Sequence, residues 1–194
     1  MLAITFRDIT LLLDFTAPAW LAWLSVQLPH AVLMQTLAAC LLHECAHLLA
    51  MRLVHQKPQS LRVSAAGLCL RMRGDAVCPS RALCAVLLAG PCMNFLAAAV
   101  FYTIGRFGAA GANLSLGLLN LLPFSGTDGG ALLAELLSKR LLIRCPERIA
   151  PTLRAVGICT ALLLAAVFLS AGVRSLSLWG MLIYLTLTDG VNGK

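Results

Sequence analysis

Residues 31–51 form a mainly apolar stretch of the length that crosses a bilayer, yet they enclose His43, Glu44 and His47. A spanning helix needs ~20 apolar residues. In hydrocarbon its backbone N–H and C=O groups must be satisfied internally, which makes a helix the default conformation. Ionisable side chains at that depth are costly unless they face a partner or a water-filled cavity. This segment therefore demands a bundle around it, with an interior that receives three polar side chains.

The rest of the chain supplies such a bundle. Of its 194 residues 60% are hydrophobic and 12% charged, about half the charge of a soluble domain. Apolar stretches at 9–28, 31–51, 82–104, 113–138, 153–172 and 176–189 predict an all-α membrane protein, a polytopic bundle of about six transmembrane helices in one domain over 1–194. Pro18, Trp20 and Trp23 interrupt the first stretch, so it reads as a retained helix rather than a signal peptide. Pro123, Gly126, Gly129 and Gly130 break the fourth. Broken backbone at membrane depth is tolerated only where protein or a watery cavity covers it. Between the second and third stretches, Leu61-Arg62-Val63-Ser64 and Leu68 to Arg73 alternate apolar with polar residues, which predicts a short β-hairpin.

The net charge of +7 does not point to nucleic acid, because the basic residues are sorted by side. With six spans, thirteen of the fifteen Lys and Arg residues fall on one face and only Arg106 and Arg174 on the other. The positive-inside rule makes the basic face cytoplasmic, with both termini on it. Arg52 then marks the cytoplasmic end of the second span, placing His47 and His43 about 8 and 13 Å inward. The eight cysteines show no C-x-x-C spacing and imply neither a disulfide framework nor an all-Cys metal site.

His43 and His47 are four residues apart, one turn of a helix, so their rings can grip one metal ion. H-E-x-x-H on a helix is a zinc-hydrolase signature in which the glutamate, here Glu44, takes a proton from water. A catalytic zinc uses three protein ligands and keeps its fourth position open, so one more ligand is required. Among the remaining acids only Asp128 lies deep in a span and beside a backbone break, in the run from Asn120 to Gly130. Eleven residues separate it from Lys139, about 16 Å of helix, which matches the depth of the histidines. Gly129 and Gly130 would allow a close approach to the backbone there. Taken alone, Asp128 reads equally well as an acid capping a helix N-terminus; beside the histidine motif it reads as the third ligand. Asn94, in the third span, reads first as an interhelical hydrogen-bond partner.

These residues resemble the site-2 proteases, intramembrane zinc metalloproteases that carry H-E-x-x-H on one helix and N-x-x-P-x-x-x-x-D-G-G on a later one. Asn120, Pro123, Asp128, Gly129 and Gly130 fall in that register, and Gly90-Pro91-Cys92-Met93-Asn94 resembles the family's G-P-x-x-N element. The resemblance covers roughly 31–138, the expected catalytic core. It implies one Zn2+ per chain held by His43, His47 and Asp128, with Glu44 as general acid/base and Asn120 holding substrate or the tetrahedral intermediate. It also implies a membrane-tethered regulatory protein as substrate, cut by regulated intramembrane proteolysis at a site opening to the cytoplasm of a bacterial cell, and leaves room for an inhibitory membrane partner. The small outline resembles the sporulation branch, which releases a pro-sigma factor. Two departures stand out: Ser125 where many members have proline, and Thr127 where they have leucine. A membrane metal-ion transporter or an inactive scaffold would use the same His and Asp residues, but neither needs Glu44 beside them.

Overall fold

The computed structural model describes residues 2–6, 9–13, 22, 24–55, 58–64, 67–72, 80–141 and 148–191. Six helices hold most of these residues: α1 (His30–Leu53), α2 (Ser80–Thr103), α3 (Phe107–Leu121), α4 (Asp128–Leu141), α5 (Ile149–Ser170) and α6 (Leu176–Val191). Four strands complete the described elements: β1 (Leu2–Phe6), β2 (Ile9–Leu13), β3 (Pro58–Ser64) and β4 (Gly67–Met72). Asp14, Trp20 and Trp23 lie outside the described residues.

Among the described residues, three helices are long and apolar enough to cross a membrane: α1, α2 from Arg81, and α5. α3 and the Leu178–Leu187 part of α6 are shorter apolar helices. Leu41, Leu49, Leu96, Leu162 and Leu163 are each more than half exposed, a surface that suits lipid tails rather than water. The chain is an integral membrane protein, predominantly helical. Three of the six expected spans thus reach full crossing length as single helices.

The chain forms two compact units, Met1–Leu118 and Leu119–Lys194, with the division falling inside α3. In the first unit α1 packs along α2, and the strands form one sheet in the order β1-β2-β3-β4. β3 and β4 are antiparallel, with Leu61 opposite Leu70 and Val63 opposite Leu68; β3 also pairs in parallel with β2. This sheet corrects the first expected span. Ile9–Leu13 is a strand hydrogen-bonded on both sides, not the start of a helix over 9–28. An Ile-Thr-Leu-Leu-Leu run suits a strand as readily as a helix by composition, and a short apolar run carries no period that separates them. Pairing with β1 and β3, invisible in the run itself, decides it. Residues 24–27 are helical.

In the second unit the expected broken span is two helices parted at 122–127. Pro123 cannot donate a backbone hydrogen bond, and α3 ends two residues before it. Phe124 then turns inward: it is fully buried, in a cluster with Ala161, Leu182 and Leu185 of α5 and α6. α5 and α6 are joined by a turn through Gly172, whose φ of 64° lies in the left-handed region that glycine adopts without steric cost. Trp179 donates its indole N–H to the Val173 carbonyl at 3.0 Å and meets Phe168 edge-on.

Candidate metal centre

α1 buries His43 and His47 together, at 3% and 5% exposure. Their rings meet edge to face, with centroids 4.7 Å apart. His47 directs Nδ1 to the backbone carbonyl of Val86 at 2.7 Å. A carbonyl only accepts, so Nδ1 carries the proton and Nε2 is a lone pair when the ring is neutral. His43 directs Nδ1 to Asn94 Oδ1 at 2.5 Å. The Asn94 amide is oriented by its other end, where Nδ2 donates to the Ala39 carbonyl at 3.2 Å and to Asn113 Oδ1 at 3.0 Å. Its oxygen therefore faces His43, and His43 too keeps its lone pair on Nε2. The two Nε2 atoms are 3.1 Å apart. Two lone pairs at that distance repel unless an electrophile sits between them. Two zinc–nitrogen bonds at a tetrahedral angle hold their nitrogens about 3.3 Å apart. The donor pair fits zinc in chemistry and in spacing.

α2 explains why both rings fit beside it. A methyl group built at Gly90 would come within 2.6 Å of His43 Nε2 and nearer still to His47 Nε2. That position must be glycine for the imidazoles to pack against α2. Pro91, fully buried one residue later, removes one amide from the helix interior. Asn94 follows one turn after Gly90, on the same face, and is 0% exposed. The glycine and asparagine of the G-P-x-x-N element thus have separate tasks: space for the rings, and orientation of one of them. Asn94 is an interhelical partner, as the sequence suggests, but its partner is a candidate ligand. Glu44 is half-buried on α1, next to His43.

The second unit holds the remaining predicted residues. Asp128 is half-buried at the first position of α4. The cap is not Asp128 but Thr127. Its Oγ1 accepts the Gly130 amide at 3.3 Å and donates to the Leu122 and Phe124 carbonyls. The Ala131 amide bonds the Thr127 carbonyl at 3.0 Å. Threonine at this departure from the family pattern is an N-cap, and it ties the start of α4 to the loop after Pro123. Gly129 and Gly130 serve that same loop. A methyl on either would collide with carbonyls of Leu121, Leu122 or Phe124, so what approaches the backbone there is the chain's own preceding turn. Asn120 is half-buried in the last turn of α3, Pro123 is half-buried, and Ser125 is exposed.

Three participants escaped the sequence reading. The Val86 carbonyl leaves no trace in residue type. Thr127 stood out only as a departure. Asn113 carries a signal in its residue type, an amide in a mostly apolar helix.

The fold is similar to that of a solved structure titled Site-2 Protease from Methanocaldococcus jannaschii, with a TM-score of 0.72 and 19% sequence identity, covering 100% of this chain and 96% of that one. No family model matches the chain, and no curated protein sequence matches it.

Proposed function

We propose that this chain is a site-2 protease, an intramembrane zinc metalloendopeptidase that cuts a membrane-tethered protein in or near its transmembrane segment. The observation that carries the reading is the approach of the His43 and His47 Nε2 atoms to 3.1 Å, with both Nδ1 atoms turned onto oxygen acceptors, on a membrane helix that also bears Glu44. His43 and His47 supply two ligands on α1, and we assign Asp128, an acid at the first position of α4, as the third. Likeness to the archaeal structure over the whole chain supports the same assignment.

Bound zinc supplies an acidified water and a Lewis acid for the scissile carbonyl. Glu44 takes a proton from the attacking water and returns it to the leaving amine. Asn120 holds the substrate backbone or the developing oxyanion. Asn94 and the Val86 carbonyl keep both rings in the metal-binding tautomer. A helical substrate must unwind before its peptide bond is accessible. β4, at the edge of the sheet order, offers a strand for the unwound segment to pair with.

The site opens to the cytoplasm, the side with thirteen of fifteen basic residues. Hydrogen bonding of β2 to β3 supports the N-terminal strands and the 52–81 connection lying on that one face. A pro-sigma factor or anti-sigma factor is the substrate class this topology suits, because its product is released into the cell interior.

The test is proteoliposomes holding the purified chain, assayed for cleavage of single-span membrane proteins and for zinc uptake. Cleavage that a zinc chelator abolishes supports the protease. Zinc uptake without cleavage would replace it with a transporter.

A further inference from the structure

Asn113 lies on α3, far in sequence from both histidines, and is 2% exposed. Its Nδ2 donates to the Ala109 carbonyl one turn earlier at 2.9 Å. That bond fixes the amide so that Oδ1 faces Asn94 Nδ2, at 3.0 Å. Asn94 Oδ1 in turn takes the Nδ1 proton of His43. The order Ala109 carbonyl, Asn113, Asn94, His43 is a chain of hydrogen bonds with one direction, set at its start by an oxygen that only accepts.

We propose that Asn113 is a positioning residue for the metal centre, acting through Asn94 to hold His43 in the tautomer that ligates through Nε2. This rests on the reading of His43 as a zinc ligand. If the Asn94 amide turned over, its NH2 would face His43 Nδ1 and force the proton onto Nε2, the wrong tautomer. Two oxygens oppose that turn, the Ala39 carbonyl and Asn113 Oδ1, because each would then meet Asn94 Oδ1. Removing the Asn113 oxygen leaves only one. The preference for the ligating tautomer then falls by about tenfold, the equilibrium worth of one hydrogen bond. Partners of this kind commonly alter metal affinity 10- to 100-fold.

The geometry also states what replacement is tolerated. Asn113→Asp keeps an oxygen toward Asn94 when the buried carboxyl is protonated and its O–H donates to the Ala109 carbonyl in place of Nδ2. Asn113→Leu keeps the volume and removes the oxygen. A role in packing alone would make leucine the milder change at so buried a position; the positioning role makes aspartate the milder one.

The experiment uses the full chain in nanodiscs, with zinc affinity measured by chelator competition. Imidazole 15N shifts of the metal-free protein report the His43 tautomer. Asn113→Leu should weaken zinc binding about tenfold and shift His43 toward the Nε2–H form, with the thermal midpoint of the zinc-free protein held. Asn113→Asp should keep affinity within about threefold of wild type. Wild-type affinity and tautomer in Asn113→Leu, or a larger loss in Asn113→Asp than in Asn113→Leu, would overturn the proposal. A wild-type chain that binds no zinc refutes the metalloprotease reading instead, and the 15N shifts still report on the hydrogen-bond chain separately.

Discussion

The Nε2 atoms of His43 and His47 stand 3.1 Å apart because both Nδ1 atoms are turned onto oxygen acceptors, Asn94 Oδ1 and the Val86 carbonyl. The donor pair is therefore organised by the fold before any ion arrives. Much of the ordering that binding would otherwise require is already done.

Gly90→Ala tests that organisation. A methyl there collides with both imidazoles, although alanine is the better helix former by about 1 kcal/mol. Zinc affinity should fall at least about tenfold, while the metal-free protein loses no helix content. Chelator competition and circular dichroism measure the two effects.

Thr127→Val keeps the side-chain shape and removes the hydroxyl that caps α4 and ties it to the Leu122 and Phe124 carbonyls. Loss of a cap costs about 0.5–2 kcal/mol. Equilibrium unfolding should show a loss in that range, and Thr127→Ser should recover most of it.

Asp128→Ala removes the proposed third ligand. Zinc should be lost at concentrations that saturate the wild type, with the cap at Thr127 intact. Stoichiometric zinc in purified Asp128→Ala would assign the third position to another residue.

Strand addition at β4 makes a prediction with its own control. Amides along a strand point alternately to either side, so of the neighbours Cys69 and Leu70 only one directs its N–H away from β3. Proline at the outward position should abolish cleavage and leave zinc binding unchanged. Proline at the inward position should disrupt the pairing with β3. Full cleavage with proline at either position would remove the sheet edge from substrate binding.

What the sequence made legible follows from range. His43, Glu44 and His47 are one helical turn, and their relation is fixed by spacing alone. The break at Pro123 is equally local, since a missing donor needs no distant partner to act. The strand at Ile9–Leu13 was hidden because its neighbours come from 2–6 and 58–64, and an apolar run does not announce whom it pairs with. The orientation of the rings was hidden for the same reason. It depends on a carbonyl of α2 and two amides on different helices, contacts that no periodicity encodes. Thr127 is the intermediate case, visible as an odd residue yet interpretable only once Gly130 and the Leu122 carbonyl are seen to meet it.

Glu44→Gln tests the central claim most directly, measured as zinc content and cleavage rate on one preparation in proteoliposomes. Glutamine keeps the size and polarity of the side chain but cannot take a proton from water. The account predicts one zinc per chain and cleavage of a single-span substrate reduced by about 10²–10⁴-fold. Undiminished cleavage with zinc in place would contradict it.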